Sequence, residues 1–271
     1  MSQSSISSRT VELDDGAVLS YRVEGSGPDV LLVTGLGGTA AFWEPIAARL
    51  TDRFRVVSTD ARGIAGSTRG TAPVDIDRLS LDCFASLDDL GSTRAAVVGH
   101  STGGVIAQTM GLMQPRRLSG LGLSGTWAKA DAYMHGLFRS RLAVLRQLPQ
   151  EYAVGTIFVG YPATWLKDNW QAHDAALKAY PATHAAQDVV AERIAAILAF
   201  DRSAQIARLS MPVMVNGAED DQIVPAYLQR ALAAAIPHAN LHMLPSGNHF
   251  YPLTRTAEFL SALVPWLTKL G

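Results

Sequence analysis

Residues Ala95-Ala96-Val97-Val98 form an unbroken apolar run. Gly99-His100-Ser101-Thr102-Gly103 follows it directly, and an apolar helical period over 105–113 follows that. Few folds accept this junction. An apolar run with no polar alternation reads as a strand buried on both faces, and a helix starting within a few residues of its end forces a tight turn between them. Glycines at 99 and 103 remove bulk where strand, turn and helix crowd together. Ser101 then projects above the strand end, beside a helix N-terminus that offers free N–H groups and favours negative charge. Alone, G-x-S-x-G has odds of roughly one in ten of arising by chance in such a chain. Placed between strand and helix, it reads as a nucleophile on its turn rather than as a helix-capping serine.

The rest of the chain repeats the alternation. Residues 10–24 alternate around Asp14-Asp15-Gly16, a hairpin signal. Further apolar runs are Val30-Leu31-Leu32-Val33, 54–59, Leu121-Gly122-Leu123, Val213-Met214-Val215 and 241–244. Helical periods at 42–50, 76–90, 227–236 and 259–267 lie between and after them. Such alternation predicts an α/β fold, a mainly parallel sheet with helices on both faces. The segment 127–208 has no strand run, only helical patterns rich in Ala, Leu, Tyr and Trp. It reads as a helical cap, or lid, inserted after the sixth strand, which divides the chain into a core of 1–126 and 209–271 and a cap of 127–208.

With 271 residues, 48% apolar and 17% charged, the chain suits one large sheet and is not disordered. Net charge is −1 and Lys and Arg are scattered, so no nucleic-acid or anionic-membrane footprint is expected. No run approaches the roughly 20 apolar residues of a membrane helix. Residues 1–9 are Ser-rich with no apolar core, so no signal peptide and a cytoplasmic location are expected. Cys83, the only cysteine, sits among Leu79, Leu81, Phe84 and Leu87 and reads as a small buried hydrophobe.

A serine hydroxyl is nearly inert at neutral pH without a base. Seven histidines compete for that role. His100 shares the turn with Ser101 and is expected to point away from it. His135, His173 and His184 fall in the insertion, while His238 and His242 flank the last strand. His249 follows that strand in Leu244-Pro245-Ser246-Gly247-Asn248-His249, a loop that leaves the sheet at the end where Ser101 lies, and it is the base favoured here. The base needs an acid to hold its tautomer. The loop after Val213-Met214-Val215 offers Glu219, Asp220 and Asp221, whereas Ser124-Gly125-Thr126-Trp127, after the preceding strand, holds no carboxylate. For the oxyanion, Thr34-Gly35-Leu36-Gly37-Gly38 follows an early strand, and the N–H of Leu36 pairs with that of Thr102 as donors. The glycines lack the G-x-G-x-x-G spacing and no P-loop lysine follows, which argues against nucleotide binding.

Taken together, these motifs resemble the α/β-hydrolase superfamily. Asp60-Ala61-Arg62-Gly63-Ile64-Ala65-Gly66-Ser67 is similar to the family's D-x-R-G-x-G-x-S loop, and residues 218–225 resemble its G-E-D-D-x-x-V-P loop. Matching from Pro225 places the acid at Asp221, with Asp220 the alternative. The resemblance implies an eight-stranded sheet and a catalytic set of Ser101, Asp221 and His249. Two residues depart from it: Thr34 stands where histidine is common, and Ala218 replaces a glycine. Within the superfamily, Phe138-Arg139-Ser140-Arg141-Leu142 and Tyr161-Pro162-Ala163-Thr164-Trp165 look like the aminoacrylate hydrolase group, with the 3-oxoadipate enol-lactonase-like esterases next. That likeness implies a small, anionic substrate. Arg141 is then either a carboxylate partner or one half of an ion pair at the surface or within the insertion. Thr34, Trp127 and Trp165 are candidates to line the pocket, and Trp170 another, against the reading that such aromatics fill a core.

The expected chemistry is hydrolysis of a carboxylic ester or lactone of a small molecule through an acyl-enzyme, with no cofactor and no metal. The alternatives are a C–N hydrolase acting on an aminoacrylate, carbamate or amide, a slow-turnover ligand-binding receptor, and a cofactor-free oxygenase or perhydrolase, since fold alone does not decide chemistry. A haloalkane dehalogenase would need aspartate where Ser101 stands.

Overall fold

The computed structural model describes residues 6–178 and 184–270. The first five residues of the serine-rich start lie outside them, as do the side chains of residues 175, 176 and 184–186, and so that of His184. Among the described residues one eight-stranded sheet forms. Its strands are β1 (Ser7–Glu12), β2 (Val18–Glu24), β3 (Asp29–Val33), β4 (Arg55–Thr59), β5 (Ala95–His100), β6 (Leu118–Ser124), β7 (Val213–Ala218) and β8 (Ala239–Leu244). Their spatial order is β1-β2-β4-β3-β5-β6-β7-β8. β1 and β2 pair antiparallel, as does β2 with β4, and all later pairings are parallel.

The apolar runs explain the layers. Successive strand residues point to opposite faces. Leu31, Val33 and Val97 therefore enter one core and Val30, Leu32, Ala96 and Val98 the other. Helix α1 (Glu44–Leu50) and the C-terminal helix α10 (Thr256–Thr268) cover the second face. Helices α2 (Ile76–Asp89), α3 (Thr102–Met113) and α8 (Ala226–Ala235) cover the first. Right-handed crossovers require this division. The chain moves one way across the sheet from β3 to β4, then steps back over β3 to β5, so α1 and α2 fall on opposite faces. The reversal opens a crevice between the carboxyl ends of β3 and β5, where ligands bind in such sheets.

Among the described residues four α-helices lie between β6 and β7: α4 (Ala132–Gln147), α5 (Pro149–Gly160), α6 (Ala163–Lys178) and α7 (His184–Ala199). Met134, Phe138, Leu145, Ile194 and Ile197 extend the first core upward through them. The short helix α9 (Tyr251–Thr254), absent from the sequence reading, follows the His249 loop. The period at 42–50 divides into a 3-10 turn over Ala40–Trp43 and then α1. No helix among the described residues is long and apolar enough to cross a membrane.

Candidate active site

Ser101 joins β5 to α3 with φ 55° and ψ −119°. For a residue with a side chain this conformation costs on the order of 1–3 kcal/mol, so the surroundings must enforce it. They do. A Cβ on Gly99 would lie 2.1 Å from the Gly103 carbonyl oxygen, and one on Gly103 would lie 2.1 Å from that of Val33. Only glycine fits either position. The Ser101 N–H donates to the Ser124 carbonyl at 2.8 Å and the Gly104 N–H to the Ser101 carbonyl at 2.9 Å, which closes the turn.

His249 stands on the loop after β8, buried, with Nδ1 2.8 Å from Asp221 Oδ2 and 3.1 Å from Oδ1. The Asp221 carboxylate also accepts from the Ile223 and Val224 N–H groups at 2.9 and 2.8 Å and from Gln229 Nε2 at 3.1 Å. Its side chain is fully shielded from solvent. Asp220 accepts instead from the backbone N–H groups of Gly247 and Asn248, at 3.1 and 2.8 Å. Adjacent carboxylates thus divide the work: Asp221 holds the imidazole and Asp220 the loop that carries it. Asn248 adds a brace, its Oδ1 accepting from the N–H groups of His249 at 2.8 Å and Gln222 at 3.1 Å.

Leu36 lies in the turn after β3, closed by Gly38 N–H donating to the Gly35 carbonyl at 3.1 Å. A Cβ on Gly35 would meet Ser101 Cβ at 3.1 Å, so this turn runs against the serine side chain. Thr102 opens α3, where N–H groups have no intrahelical acceptor.

The His100 ring makes no hydrogen bond to Ser101 among the described residues. It lies against that of His249, centroids 4.7 Å apart, and stacks on Phe42. Its Nδ1 is 3.0 Å from Ser124 Oγ, which is 2.6 Å from the Tyr251 hydroxyl. Tyr251 donates to the Asn216 carbonyl at 2.8 Å. Ser124 must therefore donate to Tyr251, and His100 Nδ1–H to Ser124, which fixes the tautomer. Burial, and then the neighbouring His249, hold the His100 pKa well below the usual histidine range, so the ring is neutral. The sequence places His100 beside Ser101 but does not show that its ring lies against that of His249.

A cavity of about 620 Å³ opens over Ser101, His249, His100 and Leu36, a size typical of small-molecule sites. Its far wall comes from the insertion: Phe138, Arg141, Tyr152, Thr156, Tyr161 and His173. Arg141 donates to Thr156 Oγ1 at 2.7 Å, and its guanidinium lies 4.5 Å from the centre of the Tyr152 ring. Its Nε is buried without a partner, and no carboxylate pairs with it among the described residues. The ion pair within the insertion does not form. His173 packs on Tyr161 and Trp165, with Nε2 buried and unpartnered, and burial lowers its pKa. Burial pushes the Tyr161 hydroxyl up to about 12.

Four other candidates do not line this cavity. Thr34 is buried beneath its own turn, Oγ1 donating to the Gly38 carbonyl at 3.2 Å. Trp127 is fully enclosed in the core, its carbonyl accepting from Gln108. Trp165 stacks on Tyr161 from behind, centroids 4.8 Å apart, and Trp170 is 41% exposed. An aromatic in a helical period signals burial, not which surface buries it. Among the described residues no cluster of three or more His, Cys, Asp or Glu is arranged to hold a metal ion.

Residues 28–256 match the family described as alpha/beta hydrolase fold. The chain is 34% identical over 245 residues to a Caulobacter segnis protein named "Putative carbamate hydrolase RutD", covering 88% of this chain and 90% of that one. The structure of a hydrolase from Pseudomonas aeruginosa PA01 is similar with a TM-score of 0.87 at 29% identity, over 96% of this chain and 98% of that one. The enol-lactonase of Burkholderia xenovorans LB400 shares the fold, with a TM-score of 0.87 at 23% identity over 96% of this chain and all of the other.

Proposed function

The chain belongs to the α/β-hydrolase fold family and is a hydrolase, and we propose that it cleaves a small carboxylic ester or lactone through an acyl-enzyme on Ser101. The observation that carries this reading is the Asp221–His249 pair facing one cavity with a serine held on a strained turn. Ser101 Oγ attacks the substrate carbonyl carbon while its proton passes to His249. Asp221 keeps Nδ1 protonated, which leaves Nε2 free to take that proton, and it stabilises the imidazolium that results. The Leu36 and Thr102 N–H groups receive the oxyanion. Collapse breaks the bond to the leaving oxygen, which takes the proton from His249. Water then attacks the acyl-enzyme with His249 again as base, and the acid is released.

The cavity walls are mostly hydrocarbon, with Arg141 as the cation on the far side. A small substrate with a carboxylate remote from the scissile bond fits that distribution, and the helical segment 127–208 acts as the cap that sets it. A second reading, C–N cleavage, is favoured by the name of the Caulobacter segnis relative. It asks more of the site, because a leaving nitrogen must be protonated as it departs. The reactions are separated by a panel of p-nitrophenyl acetate, an enol-lactone, a phenyl carbamate and an anilide, run on wild type and Ser101→Ala. Ester and lactone turnover exceeding anilide turnover by orders of magnitude supports the first reading. Carbamate or anilide turnover near 10 s⁻¹, about the median for enzymes, replaces it with the second.

A further inference from the structure

Arg193, on α7, is fully buried. Among the described residues no carboxylate forms an ion pair with it. Asp82, which bears on it electrostatically, is held through two contacts of 2.7 Å by Arg62 and a third of 3.0 Å by Arg78. Arg193 Nε and Nη1 have no hydrogen-bond partner among the described residues. Beside it is a space of about 20 Å³, lined by Thr34, Asp82 and Cys83 among others. That is room for about one water. A guanidinium buried in this way is costly, and an apolar side chain of like volume would pack there more favourably. Burial lowers its pKa to about 10, so it stays charged at neutral pH.

The one hydrogen bond the guanidinium makes among the described residues identifies its use. Nη2 donates to the carbonyl of Gly35 at 3.3 Å. That carbonyl belongs to the peptide unit whose N–H is that of Leu36. In a trans peptide C=O and N–H point in opposite directions. Held by Arg193 and by Gly38 N–H, the carbonyl turns away from the cavity and the N–H turns toward it, where Leu36 lies. The helix that brings Arg193 here is itself fastened to the core. Glu192 takes Arg69 through two contacts of 2.7 and 2.9 Å, and Val189 packs so closely on Gly63 that a Cβ there would meet it at 2.8 Å.

We propose that Arg193 is a positioning residue supplied by the insertion, which orients the Gly35–Leu36 peptide so that its N–H meets the developing oxyanion. Its positive charge lies one peptide unit behind that donor and favours negative charge on the substrate oxygen. The insertion then completes the catalytic machinery as well as covering it. The inference rests on the Ser101 acyl-enzyme reading.

The test uses the full-length enzyme, p-nitrophenyl acetate as substrate and a small trifluoromethyl ketone, which adds to a nucleophilic serine as an oxyanion, as transition-state mimic. Removing an oxyanion donor costs about 10²–10³ in rate, so misaligning one should cost about ten- to a hundredfold. R193M is expected to lower kcat by that factor, leave KM within threefold and weaken the ketone in proportion, with Tm unchanged or raised. R193K keeps the charge without the planar fork and should fall between R193M and wild type in kcat and ketone affinity. An R193M enzyme with wild-type kcat and ketone affinity overturns the proposal. So does a loss of activity in both variants that follows a falling Tm while ketone affinity per folded molecule is unchanged. Hydrolysis that survives in Ser101→Ala would instead remove the underlying acyl-enzyme reading, whatever Arg193 does.

Discussion

The two walls of the cavity are built in opposite ways. On the sheet side the carboxylates and the loop that carries His249 are closely bonded, although His100 Nε2 and Gln229 Oε1 are buried without hydrogen-bond partners among the described residues. Asp221 accepts from two backbone N–H groups, Gln229 and His249, Asp220 from two more N–H groups, and Asn248 bridges the two loops. On the insertion side Arg141 Nε and His173 Nε2 are buried without partners, amid aromatic and aliphatic side chains. The first wall is preorganised, as electrostatic catalysis requires. The second holds polar groups in reserve, and a buried donor left unpaired costs about 1–3 kcal/mol until something pairs with it. In the proposed reaction, chemistry and selection thus fall to different walls, and Arg193 reaches from one to the other.

The largest expected effect tests the sheet wall alone. Ser101→Ala should abolish labelling by a fluorophosphonate probe and lower kcat on the order of 10⁶-fold, as removal of a triad serine does elsewhere. Intact-mass spectrometry reads the label directly, and a full adduct on the variant would break the comparison at its root. Next comes the division between neighbouring carboxylates. Asp221→Asn should cost about 10⁴ in kcat because it favours the wrong imidazole tautomer. Asp220→Asn should leave kcat within about tenfold and lower Tm, since it loosens only the Gly247 and Asn248 N–H contacts. The reverse ranking would show that the loop, not the ring, limits the reaction.

This division shows what was legible in the linear chain. Gly99, Gly103 and the apolar run before them disclose the Ser101 turn because backbone crowding leaves no other residue for those positions. His249 and Asp221 sit at fixed offsets from strand ends, so a strand pattern nearly locates them. Asp220 and Asp221 were separable only through resemblance, since both are acidic, adjacent and loop-borne. The insertion offered no such anchor. An apolar aromatic such as Trp127, in the loop after β6, is expected to be buried, but the sequence does not say whether the burying surface is the cavity or the core. Arg193 was invisible for the same reason: an arginine in an Ala-rich helical run reads as a solvated side chain until the chain folds α7 over Gly35.

On the insertion wall, Arg141 should act on binding rather than on chemistry. A charge-assisted hydrogen bond contributes about 1.5–3 kcal/mol. Arg141→Met should therefore raise KM about ten- to a hundredfold for a p-nitrophenyl ester bearing a terminal carboxylate. The same variant should leave p-nitrophenyl acetate nearly unaffected, with kcat similar for both. A fall in kcat on the neutral ester would mean that this wall, too, takes part in the reaction.

The smallest expected effect belongs to His173, and it decides how strict the separation is. Burial lowers its pKa, so at neutral pH the ring is uncharged and is a weak proton donor. Acidifying the medium protonates it only at lower pH than an exposed histidine. For an ester, whose leaving oxygen departs with the proton that His249 carries, His173→Phe should change kcat/KM by less than about threefold. Cleavage of a C–N bond would raise the value of any second proton source in the cavity. The informative quantity is therefore the ratio of ester to carbamate turnover, measured on one preparation of wild type and one of the variant. A constant ratio keeps proton transfer on the sheet wall. A ratio that rises at least tenfold in His173→Phe, through loss of carbamate turnover alone, would make His173 a catalytic residue for the second reading and end the separation between the walls.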